Sequence, residues 1–317
     1  MRYSRQVIFK KIGDKGQKAL RKSKVAIVGL GGLGTNAANL LARAGIGELI
    51  LIDRDIVELS NLQRQTLFTE NDIGKPKAVE VEKHLKNINS ELKIRTQITD
   101  LDNTNINLIK SNLVLDCTDN LETRYLINEF CIEQKVPWVH ASCVRDVGTV
   151  FNIIPGKACY RCVYGDAINT ETCDTAGILN TVVAMTSAIQ VNEALKMLLN
   201  KDYCKDLIRI HIWKPEIKLI KISKNTKCTA CKKEFEYLTG EKLSKVVKFC
   251  GTNNYQVKGK PQNLKELKKR LSKLDKVIES DYFLKFRDIT IFKDGRALIK
   301  AKSAEEAKTL YSNYIGN

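Results

Sequence analysis

Two pairs of cysteines in this 317-residue chain have the spacing of metal ligands. Cys159 and Cys162 form one Cys-x-x-Cys pair, and Cys228 and Cys231 form a second. Each pair can give two thiolates to one tetrahedral Zn²⁺, and four thiolate ligands leave no open position for a water molecule. A redox-active Cys-x-x-Cys is the alternative for either pair taken alone, but two pairs together favour zinc. The sequence therefore predicts a structural zinc site that joins two distant parts of the chain.

A glycine-rich loop follows the first apolar run, in the sequence VAIVGLGGLG. Gly29, Gly31 and Gly34 give the spacing Gly-x-Gly-x-x-Gly. In that pattern the first glycine permits a tight turn, the second lets the backbone approach a phosphate, and the third lets a helix pack against a strand. Asp53 ends the next apolar run, where a carboxylate can accept hydrogen bonds from ribose hydroxyls. The pattern predicts a nucleotide site, but it fits NAD, FAD and adenine nucleotides equally well.

Cationic side chains downstream of the loop help to choose between these nucleotides. Arg64 lies in the polar run after Asp53, and Lys77 lies in the first turn of a predicted helix, where the helix dipole disfavours a cation. A triphosphate requires additional cations, whereas the pyrophosphate of a nicotinamide cofactor does not. Either residue alone could be an ordinary surface charge, but the pair favours a triphosphate.

Asp119 follows another apolar run and is predicted to lie at the carboxyl end of a strand. On spacing alone it is almost equally suited to be the N-cap of a helix predicted over residues 121–134. Asp116, inside the same run, is expected to shape the end of the strand.

Cys173 lies in a polar segment just before a long predicted helix. A thiolate near a helix N-terminus has a lowered pKa and is a better nucleophile, so a covalent role and an incidental loop thiol stay equally open. The three histidines, His84, His140 and His211, have no motif around them and are interpreted as structural or surface residues.

The elements that must position these residues alternate between strand-like and helix-like patterns through the first half of the chain. Strands separated by helix-length segments require right-handed crossovers and build a mostly parallel sheet flanked by helices. The apolar runs typical of strands are 25–29, 48–53, 92–98, 112–118 and 137–142, and the helical patterns are 33–44, 77–88 and 121–134. The sequence thus predicts an α/β protein with a Rossmann-like sheet.

Beyond Gly148 the strands become shorter and surround one long helix predicted over residues 178–199. The runs 149–154, 207–213 and 217–222 favour an antiparallel section that makes the same sheet mixed. We expect these elements to complete one large domain over residues 1–231.

A lysine-rich break near residues 232–245 precedes a second set of strands and two helices. This pattern predicts a small basic α+β domain over residues 232–317, with an Asp-Gly turn at 294–295. The formal net charge of the chain is +17, and this segment carries +9 of it. Such a surface suits an acidic protein or a nucleic acid, although charge alone more often reflects an ordinary solvated surface.

The N-terminal residues carry charges throughout, which does not fit a signal peptide. The longest charge-free run, 176–192, is too short and too polar to cross a bilayer. We therefore expect a cytoplasmic protein without a membrane partner.

Taken together, the motifs resemble one family over about residues 2–231. They are, in order, RYSRQ, GLGGLG, DxDxVxxSNLQRQ, GKPK, LVLDCTDN, CYRC, TC followed by AG, and CTAC. This set is similar to that of the adenylyltransferases of the ubiquitin-activating superfamily, in the MoeB/ThiF/HesA branch. The resemblance implies that ATP adenylylates the C-terminal glycine carboxylate of a small ubiquitin-like protein and that pyrophosphate is released. The substrate would be a sulfur carrier of the MoaD or ThiS kind, ending in Gly-Gly.

The resemblance also implies a role for each motif. The glycine loop, including Gly32, would hold the ATP phosphates, and Asp53 would hold the ribose. Arg5 would be supplied to the ATP of a neighbouring subunit, which implies a homodimer. Cys173 would take the acyl group of the carrier or a sulfur linkage. The triphosphate would be lined by Ser60, Asn61, Leu62, Gln63, Arg64 and Lys77, and Mg²⁺ with the α-phosphate would be held by Asp119 and Asn120.

Three other functions stay open on the sequence alone. One is a tRNA-modifying dehydratase of the same superfamily, whose members generally lack the paired cysteines. A second is a nicotinamide oxidoreductase, and a third is a nonenzymatic scaffold that uses the basic C-terminal segment. That segment could dock the carrier, a sulfurtransferase or tRNA, or it could stabilise the dimer.

Overall fold

The computed structural model divides the chain into two compact units, residues 1–242 and 243–317. The structure describes residues 2–167, 173–243, 246–248 and 254–316, and for Cys173, Asp174, residues 246–248 and Asn254 it describes the backbone alone. None of the helices in these ranges is both long enough and apolar enough to cross a membrane.

The first unit is built on an eight-stranded sheet in the order β3-β2-β1-β4-β5-β6-β7-β8. The first five strands of that order are parallel and the last three pair antiparallel, which confirms the predicted mixed, mostly parallel sheet. The strands are β1 (Lys24–Val28), β2 (Glu48–Ile52), β3 (Lys93–Gln97), β4 (Leu113–Asp116), β5 (Trp138–Val144), β6 (Val147–Ile153), β7 (Leu207–His211) and β8 (Glu216–Ile220).

Helices pack on the sheet of the first unit. They are α1 (Ser4–Ile8), α2 (Gly13–Lys22), α3 (Gly32–Ala44), α4 (Lys77–Ile88), α5 (Leu121–Gln134), α6 (Tyr160–Tyr164), α7 (Cys173–Ala176) and α8 (Asn180–Leu198). The central strand β1 is almost wholly apolar and buried, as expected for a parallel strand covered on both faces. Leu41 of α3 and Val191 of α8 belong to the core that covers it.

Strand register places three chain segments together at one edge of this sheet. Val28 pairs with Ile52 on one side and with Asp116 on the other, so β1, β2 and β4 end at the same level. The strand order also reverses between β1 and β4, since their chain continuations lead to opposite sides of the sheet. A crevice forms outside the carboxyl ends of strands at such a switch point, and ligands bind there.

The second unit is a six-stranded antiparallel sheet in the order β11-β12-β13-β14-β10-β9, with two helices, and so has the predicted α+β architecture. Leu267, Leu271 and Tyr311 of the helices share a core with Phe286 and Ile291 of the sheet. The elements are β9 (Val246–Lys248), β10 (Asn254–Lys258), α9 (Leu264–Leu271), β11 (Val277–Glu279), β12 (Phe283–Phe286), β13 (Ile289–Phe292), β14 (Arg296–Lys300) and α10 (Ala304–Tyr314).

The division between the units falls after Lys242, whereas the sequence suggests a boundary after Cys231. The difference has a physical cause in Glu129, a buried residue of α5. Its carboxylate accepts hydrogen bonds from the backbone N–H groups of Glu236, Tyr237 and Leu238 at 2.8 to 3.3 Å. The polar, lysine-rich segment after the last cysteine is therefore held by the first unit.

Candidate nucleotide site and zinc cluster

The glycine loop leads from β1 into α3 and packs tightly against the end of β4. Gly29 has a φ of +87°, and a Cβ on it would lie 2.7 Å from the carbonyl oxygen of Cys117. A Cβ on Gly34 would lie 1.9 Å from the carbonyl oxygen of Gly29. Only glycine fits these two positions, because one needs a left-handed backbone and the other a helix in direct contact with the loop.

Gly31 differs from these two glycines because the space beside it is open. Among the described residues, the one atom within 4 Å of a Cβ placed there, apart from its chain neighbours, is Nε2 of Gln65 at 3.8 Å. A backbone that is accessible at the start of α3 suits a phosphate, which the free N–H groups of a helix N-terminus attract. Gly32, by contrast, is restricted by packing, because a Cβ on it would lie 2.9 Å from Cγ1 of Val183.

Asp53, directly after β2, stabilises the glycine loop by hydrogen bonds. One oxygen of its buried carboxylate accepts from the N–H of Leu30 at 2.5 Å, and the other accepts from the N–H of Asp55 at 2.7 Å. Burial raises the pKa of Asp53, against the lowering effect of the nearby Lys77 charge. A carboxylate oxygen can accept more than one hydrogen bond, so the same group can also serve a ribose hydroxyl.

Lys77 is the first residue of α4 and its side chain is buried beside two carboxylates. Its ammonium lies 3.4 Å from Oδ2 of Asp55. Burial by itself lowers the pKa of Lys77, but the charges of Asp55 and Asp53 outweigh burial and the pKa is raised. The carboxylates thus offset the unfavourable helix dipole, and a charged ammonium is held next to the glycine loop.

A local backbone pairing brings Lys77 to this position. Ile56 forms an antiparallel bridge with Pro76, and the N–H of Val57 donates to the carbonyl of Lys75 at 2.8 Å. The N–H of Lys77 itself donates to the carbonyl of Asp55 at 2.9 Å. The irregular segment after Asp53 therefore folds back so that α4 starts at the carboxyl edge of the sheet.

The SNLQRQ run forms a turn against the glycine loop. Arg64 is half-buried, its guanidinium donates to the carbonyl of Ser60 at 3.2 Å, and its Cγ would lie 3.5 Å from a Cβ on Gly32. Asn61 is buried and its side-chain oxygen accepts from the N–H of Glu58, which caps the turn. The other predicted residues of this run differ in exposure, since Ser60 and Gln63 are exposed and Leu62 packs partly against the core.

Gln65 is a candidate site residue that the sequence analysis does not include. It is buried, and its Oε1 atom has no hydrogen-bond partner in the described part of the chain. Its Nε2 atom is the one that lies nearest to the open side of Gly31. A buried amide oxygen without a partner is costly, so a ligand that brings a hydrogen-bond donor to this position would satisfy Oε1. The sequence signal is its place at the end of the polar run, next to Arg64.

The sequence leaves two roles open for Asp119, metal ligand or N-cap of α5. The N-cap is Asn120 instead. The side chain of Asn120 accepts from the N–H of Glu122 at 2.8 Å and is the N-cap of α5. Asp119 precedes the cap and is exposed. Its charge contributes to raising the pKa of Lys77, although less than burial, Asp55 and Asp53 affect it. The carboxylate of Asp119 thus shares the electrostatic environment of the nucleotide loop without serving as the helix cap.

The four predicted zinc ligands lie together. The Sγ atoms of Cys159 and Cys162 are 3.7 Å apart, those of Cys159 and Cys228 are 3.6 Å apart, and those of Cys162 and Cys231 are 3.5 Å apart. All four sulfur atoms lie within 4.8 Å of one another. Zinc–sulfur bonds of about 2.3 Å in a tetrahedron place the sulfur atoms about 3.8 Å apart, so the cluster has the size of a four-thiolate zinc site.

A paired arginine lies within the first Cys-x-x-Cys of the cluster. Arg161, between the first two cysteines, bonds to Glu236 at 2.5 Å and to Asp166 at 2.6 Å. Burial raises the pKa of the Cys231 thiol to about 12, and a bound cation would favour its thiolate form. The chemistry of the donors therefore fits zinc.

Arg5 does not lie near the glycine loop of its own chain. The side chain of the next residue, Gln6, donates to the carbonyl of Ala44 at 2.8 Å, at the carboxyl end of α3. The glycine loop is at the opposite end of that helix, which has 13 residues and is about 20 Å long. Arg5 is exposed, and α1 has no buried residue.

Cys173 starts the short helix α7, and its side chain lies outside the described part of the structure. The residues on either side of this segment are anchored at the carboxyl edge of the sheet. The hydroxyl of Tyr125 in α5 donates to the carbonyl of Gly165 at 2.7 Å. After the helix, the N–H of Leu179 donates to the carbonyl of Arg145 in the β5–β6 turn at 2.9 Å.

Comparisons with known proteins agree with this arrangement. Residues 3–230 match the ThiF family. The chain is 36% identical to the sulfur carrier protein ThiS adenylyltransferase of Bacillus subtilis (strain 168), over 99% of both chains. It is 38% identical to the molybdopterin-synthase adenylyltransferase of Escherichia coli (strain K12), over 73% of this chain and 96% of the relative. A crystal structure of E. coli MccB with ATP has a TM-score of 0.64 and 25% identity, over 73% of this chain and 74% of MccB.

Proposed function

The chain belongs to the ThiF family, and we propose that it adenylylates the C-terminal glycine carboxylate of a small ubiquitin-like sulfur-carrier protein with ATP. The observation that carries this proposal is the buried, charged Lys77 beside a glycine loop with an open backbone at Gly31. Two relatives, 36% and 38% identical to this chain over 99% and 96% of their own length, are named as adenylyltransferases, and one of them acts on ThiS by its name.

The proposed reaction requires positive charge more than it requires acid–base catalysis. A carboxylate oxygen of the carrier bonds to the α-phosphorus of ATP, the bond to the bridging oxygen breaks, and pyrophosphate leaves with the electron pair. Two anions approach each other, so fixed cations stabilise the charge that grows in the transition state. In this proposal Lys77 and Arg64 supply that charge. The nucleophile is already ionised, so no histidine is needed as a base.

Asp119 is the residue we propose for Mg²⁺. Carboxylate oxygens are ligands that Mg²⁺ prefers, and the capping role of this segment is already filled by Asn120. When bound, Mg²⁺ supplies charge neutralisation at the phosphates. Asp119 would hold the ion at the carboxyl edge of the sheet, and Nε2 of Gln65 would donate to a phosphate oxygen at Gly31.

We propose a structural role for zinc at the four cysteines. The ion would join the turn of α6 to the turn at residues 228–231, and it would leave no position for substrate. The cysteine cluster also speaks against a tRNA-modifying dehydratase, whose members generally lack the cysteine pairs.

A homodimer would complete the proposed site. Arg5 is held at the far end of α3 and is farther from its own glycine loop than an arginine side chain reaches. An exposed arginine on a helix without buried residues is available to a second copy of the chain. We propose that each subunit supplies Arg5 to the ATP of the other.

The edge strand β8 offers a surface for the carrier. Within the described ranges β8 pairs only with β7, and all five of its residues are exposed. Ile217 and Leu219 lie two residues apart on β8, and therefore on one face of it, with 51% and 60% of their surface exposed. Trp213 in the preceding turn is 74% exposed. Exposed apolar groups on an unpaired edge strand are typical of a protein-binding surface. We propose that the folded body of the carrier docks there.

The second unit and Cys173 have further roles in this proposal. The ThiS adenylyltransferase of B. subtilis aligns over 99% of both chains, so it has a counterpart of the second unit. That finding favours a role in carrier activation or in contact with a sulfurtransferase over a role in binding tRNA. Cys173 would accept the activated carrier or a sulfur linkage after adenylylation.

ATP–pyrophosphate exchange tests the proposed function. We expect exchange only when a carrier ending in Gly-Gly is present, and a carrier truncated by those two residues is the control. Tighter binding of NAD(H) than of ATP with Mg²⁺, together with no exchange, would instead support an oxidoreductase. Retention of exchange after deletion of the second unit would leave the scaffold hypothesis without support.

A further inference from the structure

Outside the nucleotide site and the cysteine cluster, three metal-ligating side chains meet beside α4. They are Asp72, in the turn Glu70–Asp72, and Glu80 and His84 of α4 itself. One carboxylate oxygen of each acid and one ring nitrogen of the histidine all lie within 4.8 Å of one another. We propose that these three residues, the Asp72–Glu80–His84 triad, bind one divalent transition-metal ion that links the turn to the helix.

The backbone brings the three ligands of the triad together. Glu80 and His84 are four residues apart on α4, so they lie on one face of the helix, one turn apart. Nε2 of His84 lies 2.8 Å from Oδ2 of Asp72. The N–H and the hydroxyl of Thr69 donate to the same oxygen at 2.8 and 3.0 Å and fix the position of Asp72.

The size of the triad suits a single ion. Ligand atoms about 2.1 Å from an ion lie about 3.0 to 3.4 Å apart when their bonds meet at angles between about 90° and 110°. The distance of 2.8 Å between His84 and Asp72 is close to that spacing. The end of a glutamate side chain rotates easily, so the carboxylate of Glu80 can close the remaining gap.

The two carboxylates of the triad are buried, unlike those of an ordinary acidic surface. Asp72 is 2% exposed and Glu80 is 5% exposed. Within the described residues, the cations paired with them are Lys83, whose side chain is 59% exposed, and His84 when it is protonated. An exposed lysine stabilises a buried carboxylate little, and two carboxylates that share a site need a proton or a cation between them. A divalent ion supplies that charge.

The chemistry of the three ligands selects the class of ion. Two carboxylate oxygens and one imidazole nitrogen suit Mn²⁺, Fe²⁺ or Zn²⁺, whereas Ca²⁺ and Mg²⁺ prefer oxygen ligands alone. The ion would enter on the side of His84, whose side chain is 24% exposed. On binding, Nε2 of His84 releases its proton to solvent, and its lone pair bonds to the ion in place of the hydrogen bond to Asp72.

The ion would stabilise the segment that leads to Lys77. Asp72 lies five residues before Lys77, and its carbonyl accepts from the N–H of Lys75 at 3.1 Å. An ion that joins Asp72 to α4 therefore holds this segment at both ends. The triad shares no residue with the groups proposed for ATP and its Mg²⁺, so the inference goes beyond the proposed function and is tested without nucleotide or carrier.

Mn²⁺ is the probe, because it is paramagnetic and prefers oxygen and nitrogen ligands to the thiolates of the cysteine cluster. We expect calorimetry on the full chain to show about one Mn²⁺ bound per chain, and pulsed electron paramagnetic resonance to show an imidazole nitrogen bonded to the ion. Mn²⁺ at about a hundred times its Kd should raise the Tm by about 5 °C. Absence of Mn²⁺ binding at millimolar concentration, or bound Mn²⁺ without the nitrogen signal, overturns the inference.

Variants of the triad test which residues hold the ion. His84→Gln and Glu80→Gln should each weaken Mn²⁺ binding at least about tenfold, since loss of an outer partner of a metal ligand already costs that much. His84→Gln should also remove the nitrogen signal, which His211→Gln should leave intact. Glu82→Gln is the matched control for Glu80, because Glu82 lies on the same helix and its carboxylate accepts from the hydroxyl of Thr96 instead. An unchanged Kd in both triad variants would contradict the proposed ligand set.

Asp119→Asn separates the triad from the position proposed for Mg²⁺. This variant should bind Mn²⁺ as the wild type does. Loss of the Mn²⁺ in Asp119→Asn, with binding retained in the triad variants, would assign the ion to the nucleotide site and overturn the inference. Failure of the wild type to exchange pyrophosphate would count against the proposed function alone, because none of these measurements requires turnover.

Discussion

Replacement of Lys77 by methionine removes the buried positive charge beside the glycine loop and keeps the length of the side chain. An ammonium about 4 Å from a phosphoryl oxygen contributes about 4 kcal/mol at an effective dielectric constant near 20. A loss of about 4 kcal/mol in transition-state stabilisation lowers kcat/KM about a thousandfold. The ammonium also lies 3.4 Å from Asp55, so the variant removes the positive charge that balances Asp55 and the buried Asp53 and should unfold at a lower temperature.

Lys75→Met is the matched control, because Lys75 is exposed on the same loop. It loses the same formal charge and should keep kcat/KM for pyrophosphate exchange within about threefold of the wild type. Lys77→Arg, which keeps the charge in another shape, should recover part of the activity. Thermal unfolding of each variant shows whether the protein is folded at the assay temperature. If folded Lys77→Met had a kcat/KM less than tenfold below that of Lys75→Met, the assignment of Lys77 to the phosphates would be wrong.

Further variants test the loop, the zinc cluster, the strand end and the docking surface. Gly34→Ala should destabilise the fold by about 3 kcal/mol or more, because its Cβ would lie 1.9 Å from a backbone oxygen, whereas Gly31→Ala should fold normally and weaken ATP binding at least tenfold in calorimetry. Cys228→Ser should reduce the metal content from about one zinc per chain to nearly none and lower the Tm. The pKa of Asp116 is lowered in the folded protein, so its contribution to stability is present above the unfolded pKa of about 3.9 and is lost as pH falls below it; Asp116→Asn should lower the urea midpoint at pH 7 and flatten its decline below about pH 4. Ile217→Asp should raise the KM for the carrier about tenfold and leave the Kd of ATP unchanged, and an unchanged KM would remove β8 as the docking surface.

The local part of the nucleotide site could be predicted from the sequence because its residues follow strands directly. Gly29 and Asp53 each come immediately after a buried strand, and parallel strands bring their carboxyl ends to one edge. The zinc cysteines could also be predicted, since their spacing within each pair is a property of the chain alone.

Other features depend on contacts that no spacing records. Gln65 follows Arg64 in an irregular run, and only the fold shows that its amide is buried beside Gly31. Gly32 packs against Val183 of α8, a helix about 150 residues later in the chain, and this contact leaves little room for a side chain.

The division of the chain illustrates the same limit. Composition changes after Cys231, and polarity alone favours a boundary there. The buried carboxylate of Glu129 instead holds residues 236–238 by three backbone hydrogen bonds. Such a contact is satisfied by backbone groups, whose hydrogen-bonding capacity is nearly the same in every residue, so the sequence of the segment carries no signal for it.

The most direct test of the central claim is to follow the α-phosphate of ATP. The full-length protein is incubated with α-labelled ATP, Mg²⁺ and a ubiquitin-like carrier ending in Gly-Gly, and the carrier is analysed by intact mass and by label. The account predicts a carrier with one added AMP at its C-terminal carboxylate, formed together with pyrophosphate and lost when the terminal glycine is removed. Label that appears on a truncated carrier, or ATP that is cleaved to ADP without any labelled carrier, would contradict it.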